Sequence, residues 1–144
     1  MHNIEQLIED HEVLDTIAAD LNSLVRGPHP HAESAYAMLR RLSACMDEHL
    51  SAEHGFLYDA HFRAAPGRLQ SEVETFEREF RDLDEEWSLY LNEWTLENIE
   101  VDWRNFAHAT LWVMGRFRDR IAQENDILYP LALHSGGIRL RASK

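Results

Sequence analysis

The sequence predicts an all-α fold, an antiparallel up-down-up-down four-helix bundle, and three observations carry that expectation. Apolar residues recur at alternating spacings of four and three along four separate stretches, the period of a single buried helix face. The 6 glycines and 4 prolines are grouped, at Gly27-Pro28-His29-Pro30, Pro66-Gly67, Pro130 and Gly136-Gly137 among others, so long runs between them are uninterrupted. A length of 144 residues with 44% hydrophobic content suits one domain around one core.

The first helix is expected over roughly residues 3–26, with Leu7, His11, Leu14, Ala18, Leu21 and Val25 facing inward. The second spans Ala32 to Asp59, on the stripe Ala35, Leu39, Leu42, Met46, His49, Glu53 and Phe56. Pro66 is well placed in the first turn of the third, whose stripe is Leu69, Val73, Phe76, Phe80, Leu83, Trp87, Tyr90 and Trp94. After a break near Thr95 to Asp102, the fourth carries Trp103, Phe106, Thr110, Val113, Phe117, Arg120, Glu124 and Ile127, and Pro130 ends it or follows its last turn. Four such helices on short connections bury their faces against one another as a bundle over residues 1–134. Residues 135–144, with two glycines and three basic residues, read as a flexible basic tail.

Charge narrows the partners. With 26 Asp and Glu against 14 Lys and Arg, the formal charge is −12, which repels phosphate backbones and anionic lipid surfaces. Nucleic acid and membrane are excluded as expected partners. Much of the excess lies in Glu72 to Glu86, read as the solvated face of the third helix. Cys45 is the single cysteine, so no intrachain disulfide and no cysteine-rich zinc site is expected. No signal-peptide core and no run of about 20 apolar residues is present, and the expected location is cytoplasmic. Gly-rich phosphate loops, Gly-x-Ser-x-Gly and His-Glu-x-x-His are missing, so the sequence leaves open whether the protein is an enzyme, and any chemistry would belong to a metal.

Five polar residues interrupt the stripes where a bundle wants Leu or Ile: His11, His49, Glu53, Arg120 and Glu124. Counted from the first turn, His11 and His49 lie level in antiparallel helices, and the fourth helix brings Arg120 and Glu124 to the same end. His49 and Glu53 are four apart, as are Arg120 and Glu124, so each pair points to one spot. Ionisable groups buried together are costly unless paired or coordinated. Inward carboxylates and histidines from several helices are how bundles build non-haem metal sites.

The chain resembles the hemerythrin-like, or HHE cation-binding, family. The resemblance rests on Asp10-His11, on His49-x-x-x-Glu53 followed by Phe56-Leu57-Tyr58, and on Glu124-Asn125-Asp126-Ile127-Leu128-Tyr129-Pro130, and it covers about residues 3–130. It implies a four-helix bundle holding non-haem iron, commonly two irons on five histidines and two carboxylates. It also implies binding of oxygen or nitric oxide, redox or iron sensing, or iron handling. Two departures set this chain apart: Arg120 stands where a histidine is expected four residues before Glu124, and the third helix has no histidine between Pro66 and Trp94.

Two readings follow. In one, His11, His49, Glu53 and Glu124 hold iron, or zinc or manganese, as a mononuclear or incomplete di-iron site with a position open to a small gas or peroxide. In the other, the Arg120 guanidinium replaces the metal, bonds Glu53 and Glu124 together, and leaves a metal-free regulatory or protein-interaction module. Glu72, Glu74 and Glu77 flank the third stripe as candidate oxygen donors, with solvated surface positions as the plainer reading. His54 and His108 point away from the cluster by roughly 140° and 160° on an ideal helix. His29 and His31 sit in the first turn at the far end of the bundle, His2 is expected in a fraying terminus, and His61 and His134 lie beyond the helices at the cluster's end. Trp87, Trp94 and Trp103 read as packing, whereas Trp112 with His108 marks a candidate homodimer contact.

Overall fold

All four stripes become buried helix faces in the computed structural model, which describes residues 4–59 and 67–134. Helix α1 (Ile4–Arg26) buries Leu7, His11, Leu14, Ala18, Leu21 and Val25 as the periodicity requires. Its partner α2 (Ala32–Glu53) buries Ala35, Leu39, Leu42, Met46, His49 and Glu53. Next, α3 (Gly67–Glu93) buries Val73, Phe76, Leu83, Trp87 and Tyr90, with Trp94 just past its end. The expected break holds a short helix, α4 (Leu96–Val101), started by the Thr95 side chain accepting from the Asn98 N–H at 3.2 Å. Ile99, fully buried, fixes α4 to the core. The fourth long helix is α5 (Trp103–Gln123).

The ends of α2 and α5 depart from the α-helical expectation in the same way. At Glu53 α2 passes into a π-helical turn, π1 (His54–Asp59), and α5 passes into a second, π2 (Glu124–Leu128), which leads into α6 (Tyr129–His134). A π turn carries one extra residue per turn, so each stripe slips by one position. Leu57, not Phe56, is fully buried after Glu53. Likewise Ile127 is 51% exposed while Leu128 and Tyr129 are buried. Pro130 does not end the helix either, because it falls in the first turn of α6, where a missing N–H is tolerated.

α1 packs on α2 and α5, and α3 packs on α5. The core is divided in two. A large cluster includes Leu14, Leu21, Leu39, Leu42, Trp87, Phe106 and Phe117. A smaller one near the chain ends of the bundle contains Ile4, Leu7, Leu57, Val73, Phe76, Leu128 and Ala132. Between them lies a layer of buried polar groups. The acidic run of α3 faces solvent, Glu77 and Glu86 being half-buried and the other six acids exposed. Among the described residues no helix is long and apolar enough to cross a membrane. His2, His61, Pro66 and the expected tail at 135–144 lie outside the described residues, as do the side chains of Leu69 and His134.

Candidate metal centre

The polar layer is built by three helices. α1 supplies His11, α2 supplies His49 and Glu53, and the junction of α5 with π2 supplies Arg120 and Glu124. All five are buried, Glu53 completely. One donor atom from each of His11, His49, Glu53 and Glu124 lies within 4.8 Å of the others. The α1–α2 register places His11 Nε2 3.1 Å from His49 Nε2, as the count from the first turn requires. His11 Nε2 is also 2.7 Å from Glu124 Oε1, and His49 Nε2 is 3.4 Å from Glu53 Oε2.

The outer nitrogen of each imidazole meets a side-chain oxygen. His11 Nδ1 is 2.8 Å from Asn125 Oδ1, and His49 Nδ1 is 3.4 Å from Asp10 Oδ2. Donation from both Nδ1 atoms turns both Nε2 lone pairs toward the carboxylates, so the centre is a convergence of acceptors. Such a group needs protons or a cation between its members, and outer-nitrogen partners of this kind are what orient histidines as metal ligands. Glu53 Oε1 is buried with no hydrogen-bond partner, a costly state for a carboxylate oxygen that a coordinated cation would relieve. The donor set therefore fits a metal ion of the nitrogen- and oxygen-binding type.

Electrostatics divide the two acids. Burial raises the Glu53 carboxyl, and the nearby Glu124 charge raises it further. Burial also pushes Glu124 upward, but hydrogen bonds with His11 and His49 and the charge of Arg120 outweigh it and hold Glu124 well below the ordinary carboxylate value. For His49, burial opposes the charged form, yet bonds and attraction to Glu124 and Glu53 prevail and raise the imidazole to about 10. A proton on His49 thus occupies the ground a cation would take.

Arg120 donates from Nε to Glu124 Oε2 at 2.7 Å, and its guanidinium carbon lies 5.2 Å from the Phe76 ring centre. The expected bridge from Arg120 to both acids is not what forms: Glu53 Oε2 instead accepts from the Tyr129 hydroxyl at 2.6 Å. Tyr129, Asn125 and Asp10 are the members of the layer that helical spacing did not assign, although all three stand in the segments that carry the family resemblance. Glu72 and Glu74 are exposed, Glu77 is half-buried, and none joins the donor group. His54 and His108 are exposed, as their angles require.

A partly open cavity of about 30 Å³ adjoins the centre. Its polar end is His11, His49, Arg120 and Glu124, and its walls include Leu14, Ala18, Leu42, Phe80 and Trp87. That volume admits one or two water-sized molecules.

Comparison with known proteins gives one match. Residues 2–132 match the Hemerythrin family, described as the Hemerythrin HHE cation binding domain. No curated protein and no solved structure matches the chain. The match spans nearly the whole sequence, and the chain belongs to the Hemerythrin HHE cation-binding family.

Proposed function

We propose that this HHE domain holds one non-haem iron ion on His11, His49, Glu53 and Glu124 and binds a small molecule, O2, NO or peroxide, in the adjoining cavity. The observation that carries the reading is the paired fixation of His11 Nδ1 by Asn125 and His49 Nδ1 by Asp10, which turns both Nε2 atoms onto the two acids. When bound, iron with two histidines, carboxylates and an open position supplies affinity for such ligands. The residues do the rest. Asp10 and Asn125 hold the ring tautomers, the large apolar cluster supplies most of the cavity wall, and Arg120 sets a fixed positive charge beside Glu124. That charge occupies the side of the site from which a second cation would be held, which favours one ion over two.

The metal-free reading draws on the 2.7 Å bond from Arg120 to Glu124. Against it, the Arg120 pair does nothing for Glu53 Oε1, which is left buried without a hydrogen-bond partner.

Titration of metal-free protein with Fe(II) under anaerobic conditions, and separately with Zn(II) and Mn(II), tests the proposal. Saturation at one ion per chain is expected, with a rise in Tm from a stabilisation that reaches about 2.7 kcal/mol at a hundredfold excess of free metal over Kd. His49→Ala abolishes both. NO added to the Fe(II) form gives a nitrosyl absorption band. A flat titration with all three metals overturns the proposal.

A further inference from the structure

We infer that Tyr129 is a further protein ligand of this centre, coordinating the ferric form of its iron as a phenolate. The inference rests on the metal-binding reading above and concerns an oxygen that lies inside the donor group. The Tyr129 hydroxyl is 3.1 Å from His11 Nε2 and 2.6 Å from Glu53 Oε2, two of the atoms that surround the centre. The ring is 1% exposed and stacks on the His11 imidazole with centroids 5.2 Å apart and planes 15° apart, which fixes the direction of the hydroxyl.

The backbone shows how this residue reaches the site. Five residues beyond Glu124, an α-helix would carry a side chain roughly 140° around the axis. Here the Tyr129 N–H bonds to the Glu124 carbonyl, five residues back, and the π2 turn returns Tyr129 to the face of Glu124. π turns interrupt helices mostly at functional positions, and this one sets a phenol among four ligand-type side chains.

Charge sets the form in which the phenol would coordinate. With Glu53, Glu124 and Arg120 ionised and both histidines neutral, a divalent ion beside a neutral phenol leaves one net positive charge in the layer. A trivalent ion beside a phenolate leaves the same charge. A trivalent ion beside a neutral phenol leaves an extra buried charge, which is costly in an apolar core. Were ferric iron bound, the Tyr129 O–H bond would give way to an O–Fe bond. The displaced proton would leave to solvent as the ion enters, and no electron would be transferred.

Metal-free protein loaded with ferric iron, supplied as the citrate complex, tests this by absorption and resonance Raman spectroscopy. The expected result is a visible phenolate-to-iron charge-transfer band with resonance-enhanced phenolate modes. Tyr129→Phe, which keeps the ring, loses both while Zn(II) binding is retained. Its affinity for ferric iron falls by at least the roughly 10- to 100-fold that lost partners of metal ligands cost. Tyr90→Phe is the control and keeps the band, because Tyr90 pairs with Thr110 at 2.6 Å in the large cluster. Stoichiometric ferric iron without phenolate modes overturns the role of Tyr129 and leaves the metal site standing. Protein that binds neither ferric iron nor Zn(II) overturns the metal site, and the tyrosine ligand with it. If Tyr129→Phe does not fold, the wild-type Raman spectrum alone decides, through the presence or absence of those modes.

Discussion

His11 and His49 face each other through Nε2 atoms 3.1 Å apart, while their Nδ1 atoms are turned outward to Asn125 and Asp10. Two neutral imidazoles so placed present lone pairs to one another and to two carboxylates. The pair is stable only with a positive charge shared between them, and in the metal-free chain the proton on His49 serves that purpose.

Removing an outer partner therefore tests the orientation of the rings. Asn125 is exposed on its helix, so Asn125→Ala leaves the fold intact. Metal affinity falls by about 10- to 100-fold, as is usual when the hydrogen-bond partner of a ligating histidine is lost. Isothermal titration with Zn(II) measures it.

Arg120→His removes the fixed charge beside Glu124 and adds an imidazole one turn before it. Divalent metal binds more tightly, by tenfold or about 1.4 kcal/mol, in a competition assay against a chromophoric chelator. Arg120→Ala destabilises the metal-free protein by about 3 kcal/mol by removing the guanidinium bonded to the buried Glu124 carboxylate, and added Zn(II) restores most of the loss in urea unfolding.

The metal-free protein loses stability on both sides of neutrality. Glu124 is held below its unfolded value, so its contribution is present above the ordinary carboxylate range and is lost on acidification. His49 is raised from 6.5 to about 10, so its contribution is complete below 6.5 and disappears as pH rises toward 10. Glu53, raised from 4.5 to about 7, gives a loss of the same sign that is complete by neutrality. Urea midpoints measured from pH 4 to pH 10 show this decline on the alkaline side for the metal-free form, whereas bound metal, replacing the proton on His49, flattens it.

Ala18 is buried in the cavity wall, and Ala18→Val fills part of the 30 Å³ space. Overpacking costs about 1–3 kcal/mol. The ion is still bound at one per chain, but NO or azide binding weakens, as read by absorbance titration of the loaded protein.

Most of the fold and four of the site residues were legible because α-helical periodicity holds along most of each helix. The spacing of His11, His49, Glu53 and Glu124 assumes about 100° per residue, and up to the two acids that assumption is sound. It fails just beyond them, where π1 and π2 add a residue to the turn. Phe56 and Ile127 were therefore assigned inward one position early, and Tyr129 was left unassigned although it stands in the same motif as Glu124. No composition signal marks a π turn; a buried polar residue followed by aromatic and apolar neighbours on conflicting faces is the trace it leaves. Arg120 and its bond to Glu124 were placed correctly, but the second bond expected to Glu53 does not form, because spacing fixes which face a side chain lies on and not which of two acids it bonds.

Metal content per chain, measured by elemental analysis on protein purified without a chelator or an affinity-tag metal, tests the centre most directly. One equivalent of metal, with iron predominant, is the predicted result, and His49→Ala isolated in the same way carries none. Iron, zinc and manganese together well below one equivalent, unchanged by His49→Ala, would contradict a metal centre at His11, His49, Glu53 and Glu124.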